Sequence, residues 1–271
     1  MILSVTHTTL YRYDVPVRGV VQSHRLTPAS FATQRPLRWQ VSVSDGIPGG
    51  SFRDGAGDWI QGYSVAGPVS EITVHVEGEV ETEDCAGVLR GHRETVPPIV
   101  YLRRTDATRA DSALKTLGRE AVSGGADTLD QAHRLMGAVA DAILYRPGAT
   151  HAATTAAEAL ELGEGVCQDH AHAMIAAARS TGLPARYVSG YLMAADAGTR
   201  HEAAHAWAEI WVDGLGAWVG FDPANRCCPD DRYIRLGSGL DARDAAPIRG
   251  TARGTGGESL DVTVAIQAVQ Q

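Results

Sequence analysis

The sequence predicts an α+β protein, in which an all-β region precedes a domain built from helices packed on an antiparallel sheet. Up to about residue 85, short stretches alternate apolar and polar residues between glycine-rich turns, which is typical of strands. After the pair Pro97-Pro98 the apolar spacing becomes helical, most clearly over 129–144,. Beyond residue 185 the alternation returns. This order of patterns predicts two structural units of different type.

Composition limits the possible functions. The chain has 271 residues, of which 44% are hydrophobic and 21% charged, as in soluble globular proteins. Its formal net charge of −8 gives no electrostatic support for a nucleic-acid partner. No run approaches 18 apolar residues, so we expect no membrane contact through a spanning helix. The first residues lack the basic and apolar regions of a signal peptide,. The four cysteines do not show the spacing of a disulfide framework,. We therefore expect a reducing, cytoplasmic location.

The β-rich region is predicted to form its own domain over residues 1–85. Alternating stretches at 3–13, 37–43, 59–65 and 71–80 are separated by turn clusters at 45–50 and 54–58. Several short strands at this spacing favour a sandwich or barrel. The region contains no cluster of catalytic residue types, so we expect it to pack beside a site built elsewhere and to border that site's cleft.

Residues 86–126 are predicted to be a linker and a helix, and residues 127–271 the second domain. The linker helix spans 111–122, and further helices are expected over 129–144 and 154–162. The last of these has Thr154 or Thr155 as candidate N-cap, with Glu158 nearby,. Its end leads through Gly163 and Gly165 to the stretch that carries the most chemical information.

Cys167 is predicted to lie in the first turn of a buried helix. The alanine-rich run after it favours a helix, and Gly182 and Pro184 end that helix,. Free N–H groups and the positive end of the helix dipole favour a thiolate over a thiol at such a position. The alternative is a small buried hydrophobic residue, since free cysteines are often buried.

A hairpin is predicted to bring His205 and Asp222 together. Strands are expected over 186–193, 205–212 and 217–223, and the turn Asp213-Gly214 joins the last two,. His205 opens one strand and Asp222 closes its neighbour, so the two side chains lie at the same end of an antiparallel pair. Residues 194–201, which include Asp196 and Gly198, are expected to form a turn-rich insertion.

Three segments together resemble the transglutaminase-like superfamily of cysteine enzymes: Gly165-Val166-Cys167-Gln168-Asp169, His205-Ala206-Trp207 and Phe221-Asp222-Pro223-Ala224-Asn225. The stretches 11–13, 16–17, 25–28, 179–191 and 246–250 are similar to the bacterial branch, so the resemblance covers nearly the whole chain. Two positions depart from the family pattern, because His170 stands where an aromatic residue is frequent and Ala224 where threonine is frequent.

This resemblance implies a papain-like, transglutaminase-like catalytic core. It implies that Cys167 is the nucleophile, that His205 is its general base and acid, and that Asp222 orients the imidazole. The backbone N–H of Cys167 would hold the oxyanion, with the Gln168 side chain as a candidate second donor. Further candidates beside these residues are Asp169, His170, Trp207 and Asn225. For two of them we weigh a structural role instead: Asp169 as a helix cap and Trp207 as core.

The implied reaction is acyl transfer at an amide through a thioester on Cys167. We favour hydrolysis, because water is always available and the sequence marks no amine-binding or calcium site. The substrate would be a peptide or protein offering a backbone amide or a glutamine side chain, and no cofactor is expected. A zinc site on His201 and His205 is disfavoured, because a spacing of four does not converge on a strand. A transglutaminase with an amine acceptor and a non-catalytic module that retains the fold are the alternatives.

Overall fold

The computed structural model describes residues 1–193 and 204–269. It contains a six-stranded sheet formed mainly by the N-terminal region, a four-stranded sheet, and a helical layer packed on the latter. The predicted insertion at 194–201, with Asp196, Gly198 and His201, lies outside the described residues. Within the described ranges, no helix combines the length and the apolar character needed to cross a membrane.

The N-terminal sheet is built around two very long strands. Its strands from this region are β1 (Ile2–His24), β2 (Gln34–Val43), β3 (Gly46–Arg53) and β4 (Trp59–Thr82). Antiparallel pairing of β1 with β4 runs along almost their whole length, with register shifts between Arg12 and Gly19. The stretches 59–65 and 71–80, expected as two strands, therefore belong to one strand that bends at an irregularity instead of ending.

A 3₁₀ helix at Pro98–Leu102, four α-helices and two short strands follow. The elements are α1 (Ser112–Val122), α2 (Thr128–Ala142), β5 (Leu144–Tyr145), α3 (Ala156–Leu162), β6 (Glu164–Gly165) and α4 (Cys167–Ser180). Asp111 caps α1, and Thr155 forms a capping box with Glu158 at the start of α3. The parallel pair of β5 and β6 joins the end of α2 to the residues just before Cys167.

The second sheet carries α4 on one face. Its strands are β7 (Ala185–Leu192), β8 (Ala204–Val212), β9 (Ala217–Phe221) and β10 (Tyr233–Gly239), in the order β10-β7-β8-β9. Small side chains dominate the helix face that meets this sheet, among them Ala173 and Ala177, which pack in one core with Ala206, Ala208 and Ile210 of β8. These small residues let the helix axis approach the sheet closely.

The C-terminal end of the chain returns to the N-terminal sheet. The last strands, β11 (Ile248–Ala252) and β12 (Glu258–Ala268), pair antiparallel with β1. The predicted span of 127–271 for the second domain is therefore too long as a structural unit. Because β4 covers only one edge of β1, the backbone groups of the other edge need partners, and residues 248–268 supply them.

The two sheets are joined by an apolar and an ionic contact. Tyr191, Ile234 and Leu236 of the second sheet pack in one core with residues of β1 and β4. Beside that core, Asp58 of the N-terminal region pairs with Arg235 of β10 at 2.7 Å, and Arg235 pairs with Glu209 of β8 at 3.0 Å. The N-terminal region is thus fixed against the sheet that carries His205.

Candidate active site

Cys167 is the first residue of α4, and a buried carboxylate organises the turn around it. Asp169 accepts a hydrogen bond from the Val166 N–H at 2.8 Å and another from the Thr150 hydroxyl at 2.6 Å. A Cβ at Gly165 would lie 2.8 Å from the nearer Asp169 oxygen, so glycine is required there. Asp169 therefore acts as the helix cap that the sequence offered as its alternative role, and Thr150 is a partner that sequence reasoning missed.

His205 and Asp222 lie side by side, as the hairpin predicted. The Nε2 of His205 is 2.6 Å from Oδ2 of Asp222, and both side chains are almost fully buried. The Cys167 sulfur lies near enough to the same ring to help raise the pKa of the imidazole. Because Nε2 faces Asp222, Nδ1 is the nitrogen left for that sulfur. The structure thus brings the three residues together in the order Cys167, His205, Asp222.

The electrostatics of this group favour a charged imidazole. Burial by itself lowers the pKa of His205, but hydrogen bonds to Asp222 and Cys167, with the negative charge of both, raise it to about 10. Burial alone would raise the pKa of Asp222, because it disfavours the charged carboxylate, but the hydrogen bond and charge of His205 lower that pKa. An imidazolium held between a carboxylate and a thiolate is the state in which a cysteine is most reactive near neutral pH.

Two further residues hold the Asp222 carboxylate. Asn225, one of the predicted candidates, donates from Nδ2 to Oδ2 at 2.7 Å and from its backbone N–H to Oδ1 at 3.2 Å. Tyr233, which the sequence did not single out, donates its hydroxyl to Oδ2 at 2.8 Å and lies 3.4 Å from the Cys227 sulfur. Oδ2 therefore accepts three hydrogen bonds, which stabilise the ionised carboxylate.

Trp207, a predicted candidate, packs against the imidazole of His205. Its ring is buried and stacks on the His205 ring, with centroids 6.4 Å apart and planes 26° from parallel. The ring of Tyr233 meets Trp207 edge-on at 5.5 Å. Trp207 is thus a packed support of His205, which agrees with the core role weighed from the sequence.

The remaining candidates, Gln168 and His170, are engaged with backbone carbonyl groups. The Gln168 amide donates to the Ala152 carbonyl at 3.2 Å, so it would have to leave that bond to serve as an oxyanion donor. Both ring nitrogens of His170 lie 2.9 Å from carbonyl oxygens, Nδ1 from Val166 and Nε2 from Ile143. Within the described residues no three or more His, Cys, Asp or Glu side chains are grouped to hold a metal ion.

Comparison with known proteins identifies the family. The model of the transglutaminase-like superfamily matches residues 115–223, and that of the bacterial transglutaminase-like N-terminal region matches residues 3–81. The uncharacterized protein ML0607 of Mycobacterium leprae is 30% identical over 97% of this chain and 98% of its own length. The chain belongs to the transglutaminase-like superfamily. The resemblance stated from sequence is thereby confirmed.

Two further proteins are similar to this chain, one in its fold and one over part of its sequence. The crystal structure of "a Putative Cysteine Protease from Cytophaga hutchinsonii" covers all of this chain and 91% of that one, with a TM-score of 0.76 at 19% identity. It confirms the transglutaminase-like fold with its mixture of helices and antiparallel sheet. A Pseudomonas aeruginosa protein named protein-glutamine gamma-glutamyltransferase is 32% identical over 43% of this chain and 19% of its own length.

The hydrogen bond from Tyr233 to Asp222 is expected to matter for turnover by this transglutaminase-like site. Tyr233→Phe keeps the ring that packs on Trp207 and removes only the hydroxyl. We expect kcat/KM to fall about tenfold, because a hydrogen bond to a charged group contributes about 1.5–3 kcal/mol and two other donors to Oδ2 remain. The control is Tyr63→Phe, which removes a hydroxyl bonded to the Val41 carbonyl, far from the site. Equal kinetics for the two variants would contradict this role.

Proposed function

We propose that this chain is a cysteine-dependent acyl-transfer enzyme that hydrolyses amide bonds, a peptidase or amidase. The observation that carries the proposal is the position of His205. One of its ring nitrogens is 2.6 Å from the Asp222 carboxylate, and the ring lies near the sulfur of Cys167, the first residue of α4. This is the arrangement that a thiol nucleophile, its base and its orienting carboxylate require.

In the first half of the proposed reaction, the Cys167 thiolate attacks the amide carbonyl carbon. The negative oxygen that forms would be held by the backbone N–H of Cys167, which belongs to the first helical turn and has no partner within the helix. Gln168 is the proposed second donor, once its amide leaves the Ala152 carbonyl. His205 then gives the proton on the nitrogen facing the sulfur to the departing amine, and the C–N bond breaks to leave a thioester.

In the second half, a water molecule attacks the thioester carbon. His205 takes a proton from that water, the C–S bond breaks, and the carboxylic acid leaves while Cys167 returns to the thiolate. Asp222 stabilises the imidazolium at both stages, with Asn225 and Tyr233 holding its carboxylate. No step requires a metal or a cofactor, so we propose a catalytic cycle that uses the side chains alone.

A transglutaminase activity is the second candidate, and the Pseudomonas aeruginosa relative favours it. A thioester is discharged by whichever nucleophile reaches it in the right geometry, so an amine acceptor would give transamidation at the same site. We rank hydrolysis first, because water is always available to discharge the thioester and the sequence marks no amine-binding or calcium site.

Product analysis distinguishes these activities. The full chain is incubated with a glutamine-containing peptide library, with and without a labelled primary amine, beside Cys167→Ala as the matched inactive protein. We expect cleaved or deamidated peptides that are absent with the variant. Amine incorporation exceeding hydrolysis would reverse our ranking. Absence of any product dependent on Cys167 would favour the third reading, a non-catalytic module that retains the fold.

We also propose a peptide or protein substrate that presents a backbone amide or a glutamine side chain, with neither nucleic acid nor membrane as partner. The net charge of −8 supports the exclusion of nucleic acid,. The four cysteines are free thiols, which supports the proposal of a reducing, cytoplasmic location. Fractionation of producing cells with an antibody to the chain is the corresponding test.

A further inference from the structure

Two buried histidines of α4 have opposite hydrogen-bond environments. His170 and His172 are equally buried, each 2% exposed, and they stand two residues apart in the same helix. The groups that face their ring nitrogens differ in kind, because one ring meets a donor and the other meets only acceptors. That contrast determines which protonation state each ring can hold.

His172 is fixed in its neutral form. The backbone N–H of Ala242 donates to Nε2 of His172 at 3.0 Å, so this nitrogen must carry a lone pair and the single ring proton lies on Nδ1. Burial lowers the pKa of His172 to about 4, against the smaller opposing effect of the Asp241 and Asp169 charges. His172 therefore contributes no charge to the helix near neutral pH.

His170 faces two acceptors instead. Its Nδ1 is 2.9 Å from the Val166 carbonyl oxygen and its Nε2 is 2.9 Å from the Ile143 carbonyl oxygen. A carbonyl oxygen can only accept, and a neutral imidazole has one N–H to donate. In either neutral tautomer the other nitrogen would direct its lone pair at an oxygen within hydrogen-bond distance, which is costly in a buried site. Only the doubly protonated ring satisfies both contacts.

We propose that His170 is a buried imidazolium that acts as a positioning residue for Cys167, an inference that rests on the proposed function. Its two N–H groups tie the residue before Cys167, Val166, to the residue after α2, Ile143. Its charge lies beneath the first turn of α4, where it adds to the positive end of the helix dipole and favours a thiolate.

The groups around His170 are compatible with a cation. The ring of Tyr145 lies beside the His170 ring, with centroids 6.2 Å apart and planes 37° from parallel. The Asp169 carboxylate accepts from the N–H of Val166, the same residue whose carbonyl oxygen faces Nδ1 of His170. The thiolate would then have a cation beside it, His205, and a second one beneath the helix start, His170.

The charge state is measured directly by NMR on the full chain with ¹⁵N-labelled histidine. At pH 7.5, long-range ¹H–¹⁵N correlations are expected to show two protonated nitrogens for His170 and one for His172, with His170→Phe and His172→Phe assigning the signals. One unprotonated nitrogen in His170 would overturn the proposal. This readout needs no substrate, so it is independent of whether the proposed acyl transfer occurs.

The effect on the thiol is tested by alkylation of Cys167 with iodoacetamide at pH 6. We expect Cys167 of His170→Phe, a variant that has an aromatic ring at this position as many family members do, to label about tenfold more slowly than that of the wild type. This ratio corresponds to the effect of one favourable charge at a partly buried helix end. His172→Phe should label within about twofold of the wild type, because no charge is removed. Equal rates for the two variants would overturn the positioning role. If His170→Phe does not fold, the NMR result alone decides.

If His170 is doubly protonated and Cys167 labels rapidly, yet no substrate yields product, the proposed function fails while the assignment of His170 stands. The reverse result, turnover with a neutral His170, would remove this inference and leave the proposed function intact.

Discussion

Cys167→Ala is expected to abolish turnover while leaving the fold unchanged. The sulfur is the only nucleophile that the protein supplies in the proposed cycle, so its removal should reduce kcat by about 10³-fold or more, as in other enzymes that form covalent intermediates. Alanine suits the first turn of a helix, and the half-buried Cys167 packs against an alanine-rich core, so no large cavity forms.

The matched control is Cys85→Ala. Cys85 is also a free, half-buried thiol, but its sulfur donates to the Val88 carbonyl at 3.0 Å. Turnover of an amide or ester substrate is measured for both variants, with circular dichroism to verify folding. Comparable activity in Cys167→Ala and the wild type would show that the sulfur takes no part in the chemistry.

Glu209→Gln is expected to produce the largest loss of stability. The Glu209 carboxylate accepts from Arg186 Nε at 2.6 Å and from Arg235 Nε at 3.0 Å, and all three side chains are at most 4% exposed. The amide would leave two buried guanidinium groups with one less counter-charge. Removing one partner of such a pair costs about 3–5 kcal/mol of the free energy of unfolding.

Urea unfolding monitored by tryptophan fluorescence measures this loss. The control is Glu79→Gln, because Glu79 pairs at 2.8 Å with Arg38, whose side chain is 69% exposed; such a pair contributes about 0–1 kcal/mol. A loss below about 1 kcal/mol for Glu209→Gln would contradict the role assigned to the buried cluster.

The same cluster predicts the response to acid. Burial alone raises the pKa of Glu209, but the charges of Arg235 and Arg186 lower it from 4.5 to about 2. A carboxyl group whose pKa is lower in the folded state adds stability above its unfolded value. The contribution of Glu209 is therefore fully present above about pH 4.5 and is lost as the pH falls through about 2.

The sequence predicted those parts of the site that depend on local pattern. The alanine-rich run placed Cys167 at a helix start, because helix propensity and the Gly182 end signal act over neighbouring residues. The turn predicted at Asp213-Gly214 is the first half of a four-residue turn over 213–216 that joins β8 to β9, and this antiparallel pair brings His205 to Asp222. Both predictions used interactions between residues close in the chain.

Other contacts depend on the order of strands, which alternation does not encode. Tyr233 reaches Asp222 only because β10 and the end of β9 approach the same end of one sheet. The strand β12 pairs with β1 across more than 240 residues, so its place in the N-terminal sheet could not be inferred from its own sequence. The ion pair of Asp58 with Arg235 likewise depends on how the N-terminal region packs against the second sheet.

The pH dependence of Cys167 alkylation tests the central claim, that His205 and Cys167 form an imidazolium–thiolate pair. The raised pKa of His205, about 10, keeps the imidazole protonated throughout the neutral range, and the imidazolium is lost as the pH rises through that value. Cys228 is an internal reference, because burial raises its thiol pKa to about 11.

Rates of iodoacetamide labelling are measured at each cysteine by mass spectrometry from pH 6 to pH 11. We expect Cys167 to label rapidly at pH 6, with a rate that changes little until His205 loses its proton, whereas Cys228 should react only near the upper end of the range. Labelling of Cys167 at pH 6 no faster than that of Cys85 would contradict the account.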